Sequence, residues 1–146
     1  MIMDASEILT YLLAQPAENE ILEFKEAKNS FSSEDMKKYF SALCNEANLN
    51  GKTEAWLVFG VNDARQVVGT RYRENPAHLA SLKHDLSVNL TNNISFKNIH
   101  CVDHPLGRVL LFEIPAAPRG IPIGVNGFYY ARQGSSLKAL DIEKID

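Results

Sequence analysis

Between Thr53 and Val61 the chain reads Thr-Glu-Ala-Trp-Leu-Val-Phe-Gly-Val, with an unbroken apolar stretch from Ala55 to Phe59. An uninterrupted run of this length, rich in aromatic and β-branched residues and bounded by turn residues, predicts a buried strand. The segment before it predicts a helix. Ser32 or Ser33 can cap that helix, and Met36, Tyr39, Phe40, Leu43, Cys44 and Ala47 form an apolar stripe through about residue 48. Asn48-Leu49-Asn50-Gly51 then supplies the stop and the turn. A buried strand fed by an amphipathic helix implies a sheet with helices packed on it.

The remaining elements fit that frame. Ile8, Leu9, Leu12 and Leu13 recur at helical spacing behind Asp4 or Ser6, which predicts a first helix over residues 4 to 15, ended by Pro16. Residues 21 to 25 predict a strand. Asn62-Asp63-Ala64-Arg65 turns the chain into Gln66-Val67-Val68-Gly69, read as a hairpin partner of the buried strand. Asn75-Pro76 starts a third helix, with Leu79, Leu82, Leu86 and Leu90 on one face and an end near Asn92-Asn93. Ser95 to Val102 and Arg108 to Ile114 predict two strands joined by His104-Pro105-Leu106-Gly107, and Pro115 to Pro118 breaks regular structure. A last strand starts at Gly127-Phe128-Tyr129-Tyr130 and runs into Gly134-Ser135-Ser136. The expected class is α+β: a mixed, largely antiparallel sheet with about three packed helices, in a single domain covering residues 1–146.

Several functions are disfavoured. No apolar run is long enough to span a membrane, and Met1-Ile2-Met3-Asp4 does not begin a secretion signal, so a cytoplasmic protein is expected. Cys44 and Cys101 lie far apart without a CxxC, which points to free thiols and not to zinc, with Cys44 inert inside its helix. His78, His84, His100 and His104 show no ligand spacing. There is no GxGxxG or GxxxxGK[ST] loop, and Ser135 and Ser136 lack a recognisable His/Asp pairing. The formal net charge is -3. Any nucleic-acid contact must therefore use a local patch, and the later part of the chain offers one in Arg108, Arg119, Arg132 and Lys138.

The stretch Glu18-Asn19-Glu20-Ile21-Leu22-Glu23-Phe24-Lys25 carries the densest chemistry. On a strand, Leu22 and Phe24 share a buried face, while Ile21, Glu23 and Lys25 share the other near a turn bearing Glu18 and Glu20. Three readings stand open for that second face: holding a cation, contacting a phosphate, or forming an ion pair. Arg132 ahead of a Gly-Ser turn is a phosphate candidate, since a guanidinium grips an oxygen pair and the turn offers further donors. Tyr129 and Tyr130 alternate, so one is expected to pack inside and the other to stand exposed, open to a stacking role.

Three blocks in this order resemble one family. Glu18 to Lys25 resembles an E-x-x-x-x-E-F-K opening. Cys44 to Gly69, ending Trp-Leu-Val-Phe-Gly-Val-Asn-Asp-Ala-Arg-Gln-Val-Val-Gly, is similar to an "AFANT-GG-ILIGVDDDG-VVG" block. Pro115 to Ser136, with Gly-Phe-Tyr-Tyr-Ala-Arg-Gln-Gly-Ser-Ser, is similar to a "P-RP-Y-G-YYIRVGSS" ending. These are the marks of the Schlafen AlbA-like domain family, and three ordered blocks are far more specific than any one alone.

The resemblance implies an α+β sheet-and-helix unit acting as a DNA-binding domain of a bacterial transcriptional regulator, with this chain an N-terminal domain excised from a longer protein. It also implies a contrasting chemistry. In some animal Schlafens paired copies form an RNA endonuclease whose two glutamates, spaced as Glu18 and Glu23, join an aspartate in a metal-dependent site. Carried over, Glu18 and Glu23 become candidate ligands of Mg²⁺ or Mn²⁺ and Asp63 the third acid. Here, however, Asn62-Asp63 stands where the family often has Asp-Asp. The leading expectation is binding of DNA or RNA, mainly through phosphates, by Lys25, Arg119, Arg132 and Lys138 with no cofactor. The alternatives are the metal-dependent endoribonuclease, and a scaffold or dimerisation module forming a homodimer.

Overall fold

The computed structural model describes residues 3–15, 21–88, 90–133 and 136–139. The buried run forms β2 (Glu54–Phe59), second in a four-stranded sheet of order β1-β2-β4-β3. β1 (Leu22–Lys25) lies parallel to β2, with Glu23 beside Leu57 and Lys25 beside Phe59. Parallel neighbours need a crossover, and α2 (Ser33–Leu49) provides it. β3 (Asn98–His104) and β4 (Gly107–Pro115) form an antiparallel hairpin, and β4 pairs antiparallel with β2. The sheet is mixed and mostly antiparallel, in an α+β fold, as expected.

Alternation along β2 divides the core between two faces. Ala55, Leu57 and Phe59 join Leu110, Phe112 and Ile114 of β4 beneath α2, where Met36, Phe40, Leu43 and Cys44 are buried. Val58 joins Leu22, Phe24, Val109 and Leu111 beneath α1 (Ala5–Leu13), which contributes Leu9 and Leu12. Asp4 caps α1: its carboxylate accepts from the Glu7 amide at 2.9 Å, and the Asp4 amide donates to the Glu7 carboxylate at 3.1 Å. Ser32 caps α2, accepting from the Asp35 amide at 3.2 Å. Burial without a charged partner pushes the Cys44 thiol up to about 12, so the expectation of an inert thiol agrees with its environment. Among the described residues, no helix is long and apolar enough to cross a membrane.

The sheet face under α1 is open at one end, where Glu113 gathers polar neighbours. His100 Nε2 lies 3.2 Å and Asn98 Nδ2 3.1 Å from its Oε1, and Lys97 Nζ lies 3.6 Å from its Oε2. Burial alone would raise the Glu113 pKa, but hydrogen bonds from His100 and Asn98 and the Lys97 charge hold it below its ordinary 4.5. A carboxyl with a depressed folded-state pKa contributes stability above its unfolded pKa and loses it as pH falls through the folded value. Glu113→Gln is therefore expected to flatten the fall of the urea midpoint below pH 4.5 while changing its slope little near neutrality.

Two expected elements differ. The third helix begins as predicted, with Asn75 Oδ1 accepting from the Ala77 amide at 2.9 Å, but it is divided into α3 (Pro76–Ala80) and α4 (Leu82–Ser87), with a short 3₁₀ turn at Thr91–Asn93. Ser81 at the break donates its hydroxyl to the His78 carbonyl at 3.0 Å, and Arg73 reaches the same carbonyl at 2.8 Å and Asp85 at 3.1 Å. Local side-chain bonds of this kind compete with the helical ladder. The hairpin expected for Gln66–Gly69 reduces to one bridge, Val61 to Val67. The amides of Val68 and Gly69 both donate to the Gly60 carbonyl, and the Thr70 amide then donates to Arg108 O at 2.8 Å, so the chain crosses to β4 instead of continuing beside β2.

A second sheet, not anticipated as such, lies against α2. β5 (Gly124–Val125), β6 (Phe128–Gln133) and β7 (Ser136–Ala139) are antiparallel neighbours in that order. This explains why Ser41, Ala42, Asn45 and Glu46 are buried along with the predicted stripe: α2 is packed on more than one side.

Candidate functional site

Glu23 and Lys25 lie two residues apart on β1, on the face that α2 covers. Glu23 is buried, 3 % exposed, on this face, where α2 brings Tyr39 over Lys25. Lys25 Nζ lies 3.3 Å from Glu23 Oε1 and 4.8 Å from the centre of the Tyr39 ring. Burial alone would lower the Lys25 pKa; the Tyr39 side chain and the Glu23 carboxylate reverse this and leave it above its ordinary 10.5. Of the three open readings, the structure shows the ion pair.

One residue along α2 the arrangement recurs. Lys38 Nζ lies 5.9 Å from the Tyr130 ring centre on β6 and 3.2 Å from Glu34 Oε1 one helical turn back. Hydrogen bonding to Glu34, with its charge, keeps the Lys38 pKa above its ordinary 10.5. Lys25 over Tyr39 on the first sheet and Lys38 over Tyr130 on the second are thus two lysine–tyrosine contacts made from neighbouring positions of α2. An ammonium over an aromatic face is held by the ring quadrupole without losing its charge.

β6 is fixed to α2 by polar side chains. Asn45 Nδ2 donates to the carbonyls of Ile123 and Tyr130, each at 2.9 Å, and Asn45 Oδ1 accepts from the Ile123 amide at 2.7 Å. Ser41 Oγ donates to the Ile123 carbonyl at 2.7 Å and accepts from the Tyr130 amide at 3.3 Å. The β5–β6 turn is a two-residue loop, Asn126-Gly127, with φ of 50° and 84° at its two positions. Positive φ at both is the signature of a type I′ hairpin, whose twist matches that of its strands. At its tip Phe128 is 69 % and Tyr129 40 % exposed. Tyr130 is half-buried, so the expected division between the two tyrosines holds.

The other sequence-predicted residues scatter. Arg119 is exposed in the loop before β5. Arg132 stands opposite Leu137 and Lys138 opposite Ala131 in the β6–β7 register, but both side chains lie outside the described residues. Arg108, included in the same patch, is occupied: its guanidinium donates to the carbonyls of Thr70, Tyr72 and Arg73 at 3.2, 2.8 and 3.3 Å. Glu18 and Glu20 lie outside the described residues. Asp63 is exposed on the turn where the neighbouring Asn62 Oδ1 accepts from the Gln66 amide at 2.9 Å.

Of the three acids expected to hold Mg²⁺ or Mn²⁺, Glu18 lies outside the described residues, and the structure does not bring Glu23 and Asp63 together. Glu23 is paired with Lys25, Asp63 stands on a separate exposed turn, and no group of three or more His, Cys, Asp or Glu able to hold a metal occurs among the described residues. Sequence reasoning missed Lys38 and Phe128. The Glu34/Lys38 spacing was a visible signal for an exposed helical pair, but the ring beneath Lys38 belongs to a strand far along the chain.

Comparison with known proteins follows the same outline. The family model described as "Schlafen, AlbA_2" matches residues 18–141. The crystal structure of the DIP2311 protein from Corynebacterium diphtheriae is similar, with a TM-score of 0.60 and 17% identity over 91% of this chain, which spans only 26% of that one. The solution NMR structure of the N-terminal domain of a RecG-related protein from Nitrosomonas europaea is also similar, with a TM-score of 0.54 and 20% identity over 92% of each chain. At such identities the likeness is one of fold. No curated protein matches.

Proposed function

The chain belongs to the Schlafen AlbA_2 family, and from that premise we propose that it is a nucleic-acid-binding domain. It grips DNA or RNA mainly through phosphates, as the N-terminal module of a bacterial transcriptional regulator. The observation that carries the reading is the pair of lysine–tyrosine contacts, Lys25 over Tyr39 and Lys38 over Tyr130, the second on the strand that bears Arg132, in a chain whose overall charge is negative. An acidic domain needs local cations to hold a polyanion, and Lys38, whose partner Glu34 is exposed and displaceable by a phosphate, is one beside the Arg119, Arg132 and Lys138 of the later chain. Lys38, Arg119, Arg132 and Lys138 are the phosphate ligands in this reading, and Lys25 is offset by Glu23. The RecG-related neighbour takes its name from an ATP-dependent DNA helicase, which supports the same class of ligand.

Lys38→Ala and Arg132→Ala test these ligands. Each is expected to weaken binding of a labelled oligonucleotide about equally across sequences and to lower the salt slope by roughly 0.7 to 0.9, with circular dichroism unchanged. Affinity unaltered in both variants would remove them from the account.

A further inference from the structure

We infer that the tip of the β5–β6 hairpin is a stacking platform for unpaired bases, so that the proposed nucleic-acid ligand is single-stranded. This rests on the binding reading above and narrows it to one class of substrate. Phe128 and Tyr129 are consecutive on β6, so they project to opposite faces of the hairpin, and both are exposed. Tyr129 is not loose. A Cβ at Gly124, its cross-strand partner, would lie 2.9 Å from Tyr129 Cε1 and 3.0 Å from Cδ1, so the ring rests directly on the glycine backbone. One side of that ring is supported by the hairpin, and its exposure lies on the other.

The frame behind the rings is equally determined. The type I′ turn fixes the ribbon at one end, and the Asn45 and Ser41 bonds to Ile123 and Tyr130 fix it to α2 at the other. A ring held in advance, as Tyr129 is, loses little freedom when it meets a ligand, and Phe128 is presented from the same fixed ribbon. The surroundings indicate which ligand. Phe128 and Tyr129 are followed by Tyr130, whose ring carries the Lys38 ammonium, and the loop into β5 presents the exposed Arg119. Aromatic rings beside cations suit a strand whose bases are free to stack while its phosphates are neutralised, whereas a duplex hides its base faces and offers only phosphates and groove edges.

The test measures fluorescence anisotropy of the whole chain with labelled oligothymidylate and with a hairpin duplex of equal charge, at low salt. The wild type is expected to prefer the single strand. Phe128→Ala should lose about tenfold in affinity for oligothymidylate, the size of one base–aromatic stack, and leave duplex binding unchanged. Tyr129→Leu, which still covers Gly124, should repeat the effect. The inference is overturned if duplex binds as tightly as single strand, if Phe128→Ala lowers both equally, or if it dissociates a dimer without altering oligothymidylate affinity. Salt-sensitive binding that ignores both substitutions would end the stacking platform and leave the phosphate ligands standing; no binding of either probe would end both.

Discussion

Asn45→Ala is expected to cost about 3 kcal/mol of stability and to loosen the second sheet from α2. One buried side chain satisfies three backbone groups: the carbonyls of Ile123 and Tyr130 and the amide of Ile123. Each buried polar group left without a partner costs about 1 to 3 kcal/mol, and Ser41 retains its own bonds to Ile123 and Tyr130, which keeps the loss below the full sum. In urea titration the midpoint should fall sharply. Hydrogen exchange supplies the local readout: the Ile123 amide should lose protection well before amides in β2 or β4. Asn45→Asp should not rescue the fold, because a carboxylate cannot donate to the two carbonyls. An unfolding free energy within about 0.5 kcal/mol of wild type would show that the second sheet is held by other contacts.

Gly107→Ala is expected to be comparably damaging for a different reason. Gly107 opens β4 at φ of 147°, and a Cβ there would lie 2.6 Å from Gly69 Cα and 2.9 Å from Gly69 N. Those are backbone atoms in a segment held by Gly60 and Arg108, so they cannot swing away as a side chain would. Backbone strain of about 1 to 3 kcal/mol and overpacking of a similar size together predict a loss of roughly 3 to 4 kcal/mol. Gly51→Ala is the control. Gly51 also has a positive φ, 67°, but a Cβ there meets nothing within 4 Å, so only the conformational cost of about 1 kcal/mol should appear. Equal losses at the two positions would mean that the crossing of residues 60, 69 and 107 is less crowded than its geometry indicates.

The first sheet was legible because its signals are local. The Ala55 to Phe59 run, the Asp4, Ser32 and Asn75 caps and the Pro105-Leu106 turn each act within a few residues, and each stands where the pattern placed it. What escaped depends on distant pairing. Ser41 and Asn45 read as ordinary helical polar residues until Ile123 and Tyr130, about eighty residues on, arrive beside them. The broken third helix turned on Arg73, which lies outside the helix it interrupts. At the candidate site the same division holds. The strand period grouped Glu23 with Lys25, but burial of that pair required Tyr39 from α2, and the second lysine–tyrosine contact required β6 to return along the helix.

The binding reading is tested most directly by the salt dependence of oligonucleotide affinity, with log K plotted against log salt concentration. If Lys38, Arg119, Arg132 and Lys138 each neutralise one phosphate, the slope should be about −3 on single strands, at roughly 0.7 per contact. Removing Lys38 and Arg132 together should bring it to about half that value. Undetectable affinity at low salt, or affinity with a flat salt dependence, would contradict the account.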